Sequence, residues 1–116
     1  MTLYTRLLSV DEIEPLFERS KEQPVFLFKH SLTCPISTAA FREYEKYLKN
    51  RADDEGGVHT LVEIQNAREV SSAIAERSGI RHESPQAILL RDGDVVWHAS
   101  HWEIKSETLA GAIKGS

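Results

Sequence analysis

The chain has 116 residues, is 41% hydrophobic and 28% charged, and carries a formal net charge of −4. That composition belongs to an ordinary globular protein long enough to bury a core without disulfide staples, and its one cysteine excludes an internal disulfide. A mildly acidic chain without a concentrated Lys/Arg block argues against nucleic acid as a partner, and no stretch approaches membrane-spanning length. The expectation is one domain over residues 1–116, in the cytoplasm, because the N-terminus lacks a basic segment leading into an apolar export signal.

Taken in chain order, Leu3 to Leu8 reads as a short first strand. Ser9 and Glu12 have capping-box spacing, and Ile13, Leu16 and Phe17 form an apolar helical face. Pro15 conflicts with a regular helix there, so the helix either begins near Glu14 or bends. Val25 to Lys29 is a continuous apolar run of the kind buried on both faces of a sheet, ended by a lysine. Pro35 to Lys49 carries Ile36, Ala40, Tyr44 and Leu48 at helical spacing.

Arg51 to Gly57 is polar and reads as a loop, and Thr60 to Ile64 as the third strand. Ala67 to Arg77 is a helix with Gly79 as its stop signal. Gln86 to Leu90 and Asp94 to His98 are strands joined by Asp92-Gly93, a tight-hairpin signal. Glu103 to Lys114 closes the chain as a helix. The order β-α-β-α-β-α-β-β-α predicts an α/β layer structure, a central mixed sheet of four to five strands with helices on both faces.

Cys34 follows the buried second strand and precedes Pro35, which suits the first helical position because its missing N–H has no partner to lose. A thiol at that junction faces unpaired backbone N–H groups and the positive end of the helix dipole. Both favour the thiolate, the reactive form. The plain alternative is a buried, inert cysteine, the commoner fate of this residue type. The hydroxyls of Ser31, Thr33 and Ser37 around it favour the reactive reading. The loop after a central strand is also where open α/β sheets place their sites.

Thr33-Cys34-Pro35-Ile36-Ser37 opening a helix, together with Glu83-Ser84-Pro85-Gln86 leading into the hairpin, resembles the thioredoxin fold over nearly the whole chain. Within that fold, the five-residue motif resembles the signature of the YtxJ-type monothiol bacilliredoxins. The resemblance implies a thiol-disulfide oxidoreductase that removes bacillithiol from S-bacillithiolated client proteins. Cys34 would attack the mixed disulfide and be regenerated by a second low-molecular-weight thiol. Thr33, Pro35, Ile36 and Ser37 would support it, with Ser37 or a nearby N–H donating to the sulfur; a first-turn serine bonded to local backbone is the alternative.

The fold resemblance also implies a cis Ser84–Pro85 bond, with the Ser84 backbone free to pair with an extended substrate. Bacillithiol carries malate carboxylates, so Lys29, His30, Arg81 and His82 are candidate donors for it, and a protonated His30 is a candidate thiolate partner. No tightly bound cofactor, metal or membrane is expected, and bacillithiol is a co-substrate. A monomer or weak dimer is expected. His98 and His101, bracketed by Trp97 and Trp102, read as exposed hairpin and loop residues. Two rival functions stand beside this one: a thiol-capped sensor or adaptor, and a glutaredoxin-like iron–sulfur carrier, which the Pro-Ile of the motif disfavours.

Overall fold

The computed structural model describes residues 3–51 and 57–115. Among these residues, five strands form one sheet in the order β1-β3-β2-β4-β5. They are β1 (Thr5–Arg6), β2 (Val25–His30), β3 (Val58–Glu63), β4 (Gln86–Arg91) and β5 (Asp94–Ser100). β1, β3 and β2 run parallel, whereas β4 and β5 are antiparallel to their neighbours. Four helices cover the faces: α1 (Ile13–Arg19), α2 (Pro35–Asn50), α3 (Arg68–Ser78) and α4 (Ser106–Gly115). No helix among the described residues is long and apolar enough to cross a membrane.

β2 is the central strand, and all six of its residues are buried. Its alternation divides the core in two. Phe26 and Phe28 point to the α2 and α4 side, where they pack with Tyr44, Tyr47, Leu48, Leu109 and Ile113. Val25 and Leu27 point to the α1 and α3 side, against Phe17, Val70 and Ile74. Each fully buried large side chain of this kind contributes about 1.5–3 kcal/mol relative to leaving it in water. Lys29 follows the second of these two sets, so its side chain enters an otherwise apolar layer.

Several elements differ from the expectation at their ends. A 3-10 turn at Val10–Glu12 precedes α1, with Ser9 Oγ accepting from Asp11 N–H. Glu12 Oε1 accepts from Leu8 N–H at 3.2 Å. The α-helix itself starts at Ile13, which places Pro15 in its first turn. There its missing N–H removes no intrahelical bond, and the conflict disappears. β1 shortens to two residues.

The last helix, expected from Glu103, begins instead at Ser106, and a 3-10 turn at His101–Glu103 precedes it. Gly79 ends α3 in the left-handed conformation at φ +75°. Asp92 (φ +57°) and Gly93 (φ +82°) make the tight turn of the β4–β5 hairpin. Trp97 is half-buried and packs edge-on against Phe26, with ring centroids 6.3 Å apart, so it belongs to the core margin rather than an exposed hairpin. Residues 52–56 of the loop expected between Arg51 and Gly57 lie outside the described residues.

Candidate active site

Two segments meet at one end of the sheet because of strand register. β2 and β4 pair antiparallel with Lys29 opposite Gln86. The chain therefore leaves β2 toward Cys34 at the same end where it enters β4 from Pro85. Ser84–Pro85 is a cis peptide bond.

Cys34 is the N-cap of α2, with φ −103° and ψ 121°, and Pro35 opens the helix behind it. Cys34 is half-buried as a residue. Its backbone carbonyl accepts from Thr38 N–H at 3.0 Å and from Thr38 Oγ1 at 3.3 Å. Thr33 and Pro35 are exposed, Ile36 half-buried and Ser37 fully buried.

The Ser37 hydroxyl is engaged by the end of β2 and the loop that follows it. Its oxygen accepts from Ser31 N–H at 2.8 Å and lies 2.8 Å from His30 Nδ1. The hydroxyl and the ring nitrogen share one hydrogen bond, its direction set by the ring's tautomer. The expectation of a Ser37 hydroxyl aimed at Cys34 thus gives way to one that ties β2, the following loop and α2 together. His30 is correspondingly buried, its ring stacked on Phe41 at 4.8 Å. Burial holds its pKa below the usual histidine value, against an opposing pull from Glu63. A protonated His30 beside the thiolate is therefore corrected to a neutral, hydrogen-bonded ring.

Lys29 is also corrected. It is 0% exposed and so is no surface donor for a ligand carboxylate. Its ammonium donates to the Ser71 carbonyl at 3.0 Å and to His82 Nδ1 at 3.2 Å. Desolvation pushes its pKa down to about 8. Arg81 and His82 are exposed, in the segment that leads to Pro85. His82 is held below the ordinary histidine range by desolvation and then by the Lys29 charge.

Sequence reasoning missed Gln65, in the 3-10 turn after β3 (Ile64–Asn66). Its Oε1 accepts from Leu32 N–H at 2.9 Å, and its Nε2 donates to Ser31 Oγ at 3.0 Å and Thr33 Oγ1 at 3.4 Å. One amide thus braces all three residues that lead into Cys34. A glutamine just past a strand has no local pattern that marks it; only the parallel register of β2 and β3, with His30 opposite Glu63, brings it to the loop.

The family model for the monothiol bacilliredoxin BrxC matches residues 5–109. The chain belongs to the monothiol bacilliredoxin family. A solved structure described as a candidate oxidoreductase with a thioredoxin fold is 34% identical, with a TM-score of 0.81, and covers 95% of this chain and 93% of its own. Thioredoxin from Malassezia sympodialis is similar in fold, at 17% identity and a TM-score of 0.73 over 97% of this chain and 89% of that one. Spinach chloroplast thioredoxin f gives 21% identity and a TM-score of 0.70 over 97% and 84%. As a bacilliredoxin-family chain on a thioredoxin fold, this is a thiol redox protein with one cysteine.

Proposed function

We propose that the protein is a debacillithiolating oxidoreductase with Cys34 as nucleophile. The Cys34 thiolate attacks the bacillithiol sulfur of a client mixed disulfide. The client–bacillithiol S–S bond breaks, a Cys34–bacillithiol disulfide forms, and the client leaves as a thiolate that takes a proton from solvent. A second small thiol, as its thiolate, then attacks the bacillithiol sulfur on Cys34. Cys34 is released, and bacillithiol departs as a disulfide with that second thiol. The two electrons that reduce the client come from the client-displacing Cys34 and, finally, the second thiol, so the protein ends unchanged.

The observation that carries this reading is a lone, partly exposed cysteine as the N-cap of α2 in a chain of the monothiol bacilliredoxin family. With Ser37 one turn on, no partner cysteine in the motif can resolve the mixed disulfide, which leaves that step to an external thiol. Ser84 and Pro85 form the proposed face for the client, and Arg81 and His82 remain the proposed donors for its bacillithiol carboxylates.

The test is turnover of an S-bacillithiolated client with added bacillithiol, following release of the client thiol. Catalytic release by the native protein and none by Cys34→Ala supports the proposal. Stoichiometric capping of Cys34 without client release would replace it with a sensor role.

A further inference from the structure

Lys29 stands out because it breaks the pattern of its layer. The other β2 residues on its face are Val25 and Leu27, and among the described residues no carboxylate pairs with its ammonium. A buried cation held only by neutral acceptors is costly, and departures of this kind concentrate where function needs them.

What Lys29 holds is the segment before Pro85. Its ammonium reaches His82 Nδ1, which Ser71 Oγ also approaches at 3.2 Å. Gln86, opposite Lys29 in the ladder, donates from Nε2 to the Arg81 carbonyl at 3.0 Å. At the other end, the Pro85 carbonyl accepts from His101 N–H at 3.1 Å. The segment is thus anchored at residues 81, 82 and 85. Between these anchors, the backbone N–H and C=O of Ser84 have no hydrogen-bond partner among the described residues, and its buried Oγ is likewise unpartnered. An anchored segment with one open peptide edge is suited to pairing with an extended chain.

We infer that Lys29, acting through His82, is a positioning residue that fixes the Ser84 backbone for an extended client polypeptide. This deepens the proposed function and rests on it. Lys29 touches no reacting atom in this role; it sets the geometry of the surface on which the client lies. Binding energy of that kind governs KM more than the exchange step.

Steady-state debacillithiolation of a protein client by Lys29→Met, His82→Ala and the double variant tests it, with backbone NMR order parameters of residues 81–84 measured alongside. The expected result is client KM raised about tenfold with kcat within about twofold in each single variant, and a double variant no worse than the larger single effect, as for two groups in one link. Lower backbone NMR order parameters at residues 81–84, with those of α2 unchanged, are expected in both. Additive losses would show His82 acting by direct contact alone and would overturn the inference, as would an unchanged client KM in Lys29→Met. Should Lys29→Met fail to fold, the order parameters of residues 81–84 in His82→Ala decide, and unchanged values there overturn the inference. Absence of client release by the native protein would instead defeat the proposed function.

Discussion

The Ser37 hydroxyl lies 2.8 Å from His30 Nδ1 and accepts from Ser31 N–H at the same distance, so one buried oxygen joins the end of β2 to the first turn of α2. Cys34, the N-cap of α2, lies in the chain between them. Ser37→Ala leaves a part-buried N–H and a buried ring nitrogen without their partner. The expected loss is about 1–3 kcal/mol of folding stability, the usual cost of unsatisfied buried groups. Urea unfolding checks it, and a variant as stable as the native protein would mean that the two groups find other partners.

Gln65 braces the same loop from the β3 side. Gln65→Ala removes one acceptor and two donors from residues 31–33. Turnover of a bacillithiolated client is expected to fall about tenfold with only a small change in melting temperature, because a loosened loop misplaces the nucleophile. Gln65→Glu retains the acceptor for Leu32 N–H and should recover part of the loss. Equal turnover in the native protein and Gln65→Ala would show that the loop holds its shape without this amide.

The helix-capping cysteine, the hairpin turn at Asp92-Gly93 and the stop at Gly79 were legible because each depends on neighbours within a few residues. Family resemblance supplied the Ser84–Pro85 geometry, which local sequence alone would have read as an ordinary proline before a strand. The polar interior was not legible. Lys29 and His30 end an apolar run and look like a strand running out into solvent, yet β3, β4 and α3 close over them from distant parts of the chain. Gln65 and Ser71 acquire their roles only through contacts across more than thirty residues of sequence.

His59 was equally silent in the sequence, and it makes the fold acid-sensitive. The ring lies in β3, stacked on Phe26 at 5.7 Å and hydrogen-bonded through Nε2 to the Tyr47 hydroxyl at 3.1 Å. Desolvation, aided by the Arg51 charge, lowers its pKa from 6.5 to about 4. Between those values the unfolded chain binds a proton that the folded protein refuses, so stability falls as the pH drops through this window and levels off below it. The contribution is about 3 kcal/mol. Chemical denaturation at pH 7.5 and 4.5, compared between the native protein and His59→Phe, measures it. The substitution should flatten the native slope, and identical slopes would show that other groups carry the acid response.

Lys29 gives a pH dependence of the same sign, in the alkaline range. Its pKa is about 8 in the folded protein against an ordinary value of 10.5. Below pH 8 the ammonium is charged in both states, and the folded protein bears the full cost of burying it. As the pH rises from 8 to 10.5 the folded state loses its proton first, so stability contributed by this group increases, by about 3 kcal/mol in all. Lys29→Met removes the titration and fills a similar volume with an apolar chain. At pH 7 the variant is therefore expected to be at least as stable as the native protein, with the difference shrinking as the pH approaches 10.5. Paired urea titrations at pH 7 and pH 10 read this directly. A Lys29→Met protein much less stable than native at pH 7 would mean that the bonds to Ser71 and His82 outweigh the desolvation cost, and that the lysine is retained for the fold as well as for the loop.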